Sequence, residues 1–345
     1  MAKNETSNRK KEHIQLCLTD KVAYAKSSGF DEYEFEHNAI TEVDYKQIDL
    51  STKFFQKRIN YPFLISCMTG GTTEAEKINE KLAIAACELN IPIGVGSQRQ
   101  ALENNSFHES YKIIRKNAGS VPVIGNIGAA QAAFSSKLTE EIQFLIDLVE
   151  ADAMVIHVNP LQELLQKEGE PNFSGLLKNI KKLTRQIKTP IIVKEVGSGI
   201  SKSSAKKLID AGVKGIDVAG AGGTSWAAVE LLRSKAKDDY FKEWGMPTTY
   251  CVRTVRDLKK KHEFMLIASG GINSGIDIAK SIALGADLAA SARPLLKEVM
   301  NKDAGSVIQL LKNWFDDLKK VMYLTGSPSI NKLHKSKIHL KREMI

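Results

Sequence analysis

Seven short apolar runs in succession finish in side chains able to bind ligands or move protons. The finishing groups are Met68-Thr69-Gly70-Gly71, Ser97-Gln98-Arg99, Asn126, His157-Val158-Asn159, Lys194-Glu195, Gly220 to Thr224, and Ser269-Gly270-Gly271. One Asn or Ser in such a place is ordinarily a turn residue, but seven successive strand ends of this kind define a polar rim. Lys194 is the most informative member, because an ammonium at the end of a buried strand needs an anionic partner to offset its desolvation. The adjacent Glu195 points to the opposite face of a strand and is not expected to be that partner. Beyond the rim, ASGGINSGIDIAKSIALGADLAASARPLL (268–296) enters a helix through a glycine-rich turn. Such a turn presents backbone N–H groups and the positive end of a helix dipole, which together cradle a phosphate.

These groups need a scaffold that brings strand ends together. The apolar runs are PFLISC (62–67), IPIGVG (91–96), VPVIGN (121–126), AMVIHV (153–158), PIIVKE (190–195), GIDVAG (215–220), FMLIAS (264–269) and DLAASA (287–292), eight in all. They are continuously apolar and rich in Val and Ile, as parallel strands covered on both faces must be. Amphipathic stretches such as INEKLAIAACELN (78–90), LTEEIQFLIDLVE (138–150) and SKSSAKKLIDAG (201–212) separate them. Strand and helix alternating eight times predicts a (β/α)8 barrel, an α/β fold whose active site lies at the C-terminal ends of the strands. An open doubly wound sheet is the rival, but no G-x-G-x-x-G follows the first strand. The expected layout is an extension at 1–60 carrying a substrate-binding arm, a barrel at 61–325 and a basic tail at 326–345. A long insertion at 223–250 separates the sixth strand from the next helix, and no second domain is expected.

Composition narrows the classes. At 345 residues and 43% hydrophobic, the chain can bury a large core, and 26% charged residues exclude a disordered or fibrous class. Cys17, Cys67, Cys87 and Cys251 are dispersed and form no CxxC pair, as expected of reduced thiols in the cytoplasm. A polar start and the lack of any span-length apolar run predict neither secretion nor membrane insertion. The net charge of +9 gathers at Arg9-Lys10-Lys11 and at Lys332, Lys335, Lys337, Lys341 and Arg342. Without interleaved aromatics or a nucleic-acid motif, this charge points to a phosphorylated ligand or a solvated surface rather than to nucleic acid.

The elements SGGI, LGAD and ARP within 268–296 resemble the phosphate-binding end of barrels that hold flavin mononucleotide (FMN), such as the lactate-oxidising and dihydroorotate-oxidising families. Lys194 stands where that group places a cation beside the flavin ring. RKKEH (9–13), MTGG (68–71), VGSQR (95–99), NIGA (126–129), HVNPLQE (157–163), VKEVGSG (193–199), GGTSW (222–226) and ASGGI (268–272) together resemble the type 2 isopentenyl diphosphate isomerases.

That resemblance implies FMN contacts from Met68, Thr69, Gly70, Ser97, Asn126, Lys194, Thr224, the Gly271-Ile272-Asn273 turn and Ala292-Arg293. It implies substrate contacts from Arg9, Lys10, Ser97, Gln98, Arg99, His157, Asn159 and Gln162, and Mg²⁺ on Glu163. Lys194, His157 and Gln162 are the implied catalytic set. The implied reaction converts isopentenyl diphosphate to dimethylallyl diphosphate on reduced FMN, with NADPH as reductant, in a homo-oligomer of four or eight chains. Whether His157, Gln162 or flavin handles the second proton stays open. Arg9 and Lys10 precede the barrel by a long stretch, which suits a flexible arm that orders over the diphosphate. Ala219 departs from the serine that some relatives carry after Asp-Val, removing one expected hydrogen bond to FMN. The alternative on the same barrel is an FMN-dependent oxidoreductase of a small acid, with a flavin-free phosphate-binding barrel and a non-catalytic binding barrel behind it.

Overall fold

The computed structural model describes residues 2–236 and 240–344. Each of the eight apolar runs forms a strand: β1 (Phe63–Ile65), β2 (Ile93–Gly94), β3 (Val123–Gly128), β4 (Ala153–Val158), β5 (Ile191–Glu195), β6 (Gly215–Asp217), β7 (Met265–Ser269) and β8 (Leu288–Ser291). Every strand pairs in parallel with its sequence neighbour and β8 returns to β1, so the sheet closes into the expected (β/α)8 barrel.

Both strand faces are buried, which explains the uninterrupted apolar runs. Leu64, Ile124, Val155, Ile192, Ile267 and Leu288 point inward and form a core of their own. Phe63, Ile65, Val123, Ile156, Val193 and Leu266 alternate with them and meet the surrounding helices. A hairpin of Thr52–Phe54 and Lys57–Ile59 precedes β1 and sends Phe54 and Ile59, both essentially inaccessible, into the inner core. Lys57 Nζ pairs with Asp152 just before β4 at 2.6 Å, so the hairpin seals the end of the barrel opposite the polar rim.

At the rim, the expected arm is a helix, Ala2–Cys17, whose Ile14 and Cys17 are buried. The segment after it lies along the loop that follows β6: Tyr24 N donates to Gly223 O at 3.0 Å and Ser225 N to Val22 O at 2.8 Å. Arg293, at the start of helix Arg293–Asn301, donates to Cys17 O at 2.9 Å and Thr19 O at 2.6 Å and pairs with Asp20 at 2.7 Å. A guanidinium on the last carbonyls of a helix satisfies acceptors that have no intrahelical partner and complements the helix dipole. These contacts seat the arm against the barrel rim.

The insertion after β6 is less open than its composition suggests. Helix Trp226–Ser234 begins within it, capped by Ser225, whose Oγ accepts from Ala228 N at 3.1 Å. Helix Thr248–Arg256 follows, and residues 237–239 lie outside the described part. At the chain end, Ile338–Leu340 pairs antiparallel with Tyr33–Phe35, so the basic C-terminal segment is tied to the extension. No helix among the described residues is long and apolar enough to cross a membrane.

If the hairpin is a structural plug, Phe54→Ala leaves a cavity at the sealed end of the barrel. The expected cost is about 3–5 kcal/mol, typical of Phe→Ala in a packed core. A urea-unfolding midpoint within error of the parent would contradict the plug.

Candidate functional site

The register of the barrel aligns four rim residues. Gly128 pairs with His157, His157 with Lys194, and Lys194 with Asp217, so the three side chains share one level and one face. Lys194 Nζ lies 3.5 Å from Asp217 Oδ2 and donates to Glu195 O at 2.8 Å. Asp217 is 2% exposed, and its Oδ1 accepts from Ser269 Oγ at 2.5 Å. The anion that Lys194 requires is therefore Asp217, from the next strand. The Glu195 carboxylate instead accepts backbone N–H groups from Val196, Gly197 and Ser198. Burial pushes the Glu195 carboxyl up, and those N–H bonds restrain the rise.

His157 is held neutral. Burial, reinforced by the Lys194 and Lys10 charges, pushes its pKa down to about 4. Its Nδ1 lies 2.9 Å from Asn126 Oδ1, and Asn126 Nδ2 donates to Val95 O at 3.2 Å. With the amide so oriented, Nδ1–H donates and Nε2 remains an acceptor. Gln98 sits behind this pair: its Oε1 accepts from Asn126 N at 2.8 Å and its Nε2 donates to Leu145 O at 3.0 Å. It is fully buried in the wall and does not line the cavity, unlike Ser97 and Arg99 on either side of it.

HVNPLQE crosses from β4 into the short helix Pro160–Leu165, where proline in the first turn removes an N–H that would lack an intrahelical partner. Asn159 Nδ2 donates to Gln162 Oε1 at 3.1 Å and to Glu163 Oε1 at 2.9 Å. Asn159 Oδ1 is buried without a partner. The Glu163 carboxylate, which also accepts from Glu170 N at 2.8 Å, is the hard oxygen donor here that suits a cation. Among the described residues no cluster of three or more His, Cys, Asp or Glu side chains could hold a metal. A divalent ion at Glu163 would therefore take its remaining oxygens from ligand and water.

Cations stand around the cavity. Lys10 reaches in from the arm and donates to Gly70 O at 2.6 Å, Ser97 O at 3.2 Å and the Tyr111 hydroxyl at 3.1 Å. Burial and the neighbouring Arg9 lower its pKa to about 7. Arg99 is held by Glu103 at 3.0 Å and Glu170 at 3.3 Å. Arg9 and Arg99 both border the cavity. Arg293 borders it too, but its guanidinium is committed to the arm, so a contact to FMN from this residue is left to its backbone.

One cavity of about 570 Å³ collects the rest. Met68, Thr69, Gly70, Ser97, Asn126, Thr224, Gly271, Ile272, Asn273 and Ala292 all line it. Its size falls within the ~300–1,000 Å³ of small-molecule sites. Gly270 (φ 101°) and Gly271 (φ 74°) turn in the left-handed region, and a Cβ on Gly270 would be driven into Gly220 O. The two glycine loops thus meet backbone to backbone, and only glycine permits that approach. Ala219 also has positive φ (36°) and presents a methyl group where the resemblance expects a hydroxyl.

Sequence reasoning missed Asp217, Tyr111, His13 and Glu230. His13 Nε2 lies 3.0 Å from Glu230 Oε1, and Gln162 Nε2 donates to the same oxygen at 2.9 Å. The position of Asp217 at a strand end and the place of His13 in RKKEH were signals for those two, while Tyr111 and Glu230 carry none.

The family model described as FMN-dependent dehydrogenase matches residues 2–109 and 130–340, which places the chain in a class of flavin-binding barrels. A Pediococcus acidilactici lactate oxidase structure shares the fold at a TM-score of 0.69 and 17% identity, covering 94% of this chain and 86% of that one. Closer in sequence is the isopentenyl-diphosphate delta-isomerase of Chlorobium phaeobacteroides, 45% identical over 98% of this chain and 96% of its own length. The enzyme of the same name from Chlorobium limicola is 46% identical over 99% of this chain and 98% of its length. The chain belongs to the isopentenyl-diphosphate delta-isomerase family and is an isomerase.

His157 gives a pH prediction. Its folded pKa of about 4 lies below the ordinary histidine value near 6.5. The unfolded chain then binds the extra proton first as pH falls, so the stability contributed above pH ~6.5 is lost progressively towards pH 4. Denaturation between pH 4 and 7 should show His157→Asn with a shallower acid dependence than the parent. Equal slopes would contradict a neutral His157.

Proposed function

We propose that the chain converts isopentenyl diphosphate to dimethylallyl diphosphate, using FMN in its reduced form and Mg²⁺. The observation that carries this reading is the set of groups that share one cavity. Lys194 and neutral His157 stand side by side on the barrel rim, and Lys10, Arg9, Arg99 and the Glu163 carboxylate that line the same cavity suit a diphosphate with its cation. The names of the relatives support the same substrate.

The cavity volume and the glycine cradle after β7 and β8 fit FMN, with the phosphate near the N-termini of helices Gly275–Ala283 and Arg293–Asn301. When bound, reduced FMN supplies an electron-rich ring beside the alkene and a nitrogen that exchanges a proton. Lys194 sets a fixed positive charge beside that ring and favours its anionic form. Glu163 would hold Mg²⁺ against the diphosphate, while Lys10, Arg9 and Arg99 bind its remaining oxygens. His157, neutral and anchored through Nδ1, offers Nε2 to the substrate without adding a charge that would oppose a developing carbocation. Gln162 lines the same cavity and completes the polar wall. The arm helix keeps water from the alkene. NADPH is the proposed reductant, and a homo-oligomer in the cytoplasm the proposed working state.

With FMN reduced chemically under anaerobic conditions, many turnovers of isopentenyl diphosphate are expected without further reductant, because no net redox change occurs. In D₂O, deuterium should enter product and recovered substrate. No conversion with reduced FMN, together with bleaching of oxidised FMN when a small 2-hydroxy acid is added, would instead favour oxidation of a small acid. Replacement of Glu163 by Gln keeps the shape but removes the charge, so turnover should fall by about 100-fold or more, with a weakened response to Mg²⁺. Parent-like turnover and metal dependence would remove Glu163 from the metal site.

A further inference from the structure

Glu230 occupies a position that the proposed chemistry does not use. It lies on helix Trp226–Ser234, is 1% exposed, and does not border the cavity. Its Oε1 receives two donors from separate elements: His13 Nε2 of the arm at 3.0 Å, and Gln162 Nε2 of the cavity wall at 2.9 Å. Its Oε2 receives Arg233 Nη1 at 2.6 Å. Burial raises the Glu230 carboxyl, but the bonds from His13, Gln162 and Arg233 outweigh it and hold the group below the ordinary carboxylate range. The acceptor is therefore ionised, and His13 donates to it.

The surroundings make this carboxylate a joint. On the arm side, the His13 ring meets Trp226 edge-on at 5.1 Å, and Glu12 Oε2 accepts from Arg233 Nε at 2.9 Å. Glu168 approaches Arg233 at 3.7 Å. On the cavity side, the Gln162 amide is fixed at both ends, its nitrogen on Glu230 and its oxygen on Asn159 Nδ2. Asn159 in turn holds Glu163. A chain of bonds thus runs from His13 through Glu230, Gln162 and Asn159 to Glu163. His13 and Gln162 share one buried oxygen, so the loss of either leaves an ionised carboxylate under-solvated, and such a group relaxes by moving towards its remaining donors.

We propose that Glu230 is a positioning residue that couples seating of the N-terminal arm helix to the orientation of the Gln162 amide in the cavity. The arm and the Gln162–Asn159–Glu163 row then behave as one unit: the row is correctly presented only when His13 is docked. Because coupling is reciprocal, disturbing Gln162 loosens the arm as much as lifting the arm disturbs Gln162. This rests on Gln162 facing substrate, as proposed above, but its structural half can be tested without turnover.

The experiment is hydrogen–deuterium exchange of the peptide covering residues 8–17 in substrate-free protein, paired with a kinetic cycle. In Glu230→Gln, which keeps the shape but cannot accept all three donors, the arm amides should exchange faster by roughly 5- to 150-fold, the usual range of coupling between sites. Barrel amides and FMN affinity should stay as in the parent, and Glu230→Asp should fall between the two. For kcat/KM with isopentenyl diphosphate, Gln162→Ala should cost less in a His13→Ala background than in the parent. Unchanged exchange at 8–17, exchange raised uniformly over the barrel, or independent effects of the two substitutions would overturn the coupling. If Glu230→Gln does not fold, exchange at 8–17 in Gln162→Ala decides: faster exchange supports the coupling and parent-like exchange rejects it. Absence of turnover in the parent would refute the proposed reaction and leave the exchange result standing on its own.

Discussion

An ammonium group at the mouth of a closed parallel barrel loses most of its hydration, and the site exists because Asp217 stands against it. Lys194 and Asp217 come from adjacent strands at the same level, and Ser269 from a third strand holds the second carboxylate oxygen. Removing one partner from a buried pair costs far more than the pair contributes to stability. The barrel register, the turn through Ala219 and the glycine loops that let neighbouring loops pack closely all serve to keep those charges aligned. The same cation contributes to the neutrality of His157, the next residue along the level. The cavity thus has a fixed positive charge beside a neutral acceptor.

The second constraint is closure from the far end of the sequence. The arm helix is held at its C-terminus by Arg293 and buried Cys17, and further along by Ile14 and, mid-helix, by Lys10. Lys10 is bound to two carbonyls and a hydroxyl, so a polyanion entering the cavity offers it a stronger partner than it has without ligand. A seated arm that still holds an exchangeable cation suits a site that must admit a diphosphate and then exclude water.

The barrel was legible because burial on both faces writes itself into sequence as uninterrupted Val, Ile and Ala runs, and all eight runs became strands. The rim was legible because strand ends are where the apolar runs stop. What could not be read was anything set by register or by distant contacts. The Lys194–Asp217 pair depends on how β5 aligns with β6, and the Tyr111 hydroxyl and Glu230 carry no local signature. The burial of Gln98 has no local sign either, because Ser97 and Arg99 on either side of it border the cavity while its own amide bonds inside the wall. The side-chain partners of Arg293 could not be read locally, because they are carbonyls from the opposite end of the chain.

The midpoint potential of bound FMN tests the central pair most directly, since adding electrons to the ring is favoured by a nearby cation and opposed by a nearby anion. Lys194→Gln should lower the two-electron potential by about 30 mV or more, equivalent to about 1.4 kcal/mol, and Asp217→Asn should raise it. A potential that stays put or rises in Lys194→Gln would contradict the placement of that charge beside the flavin.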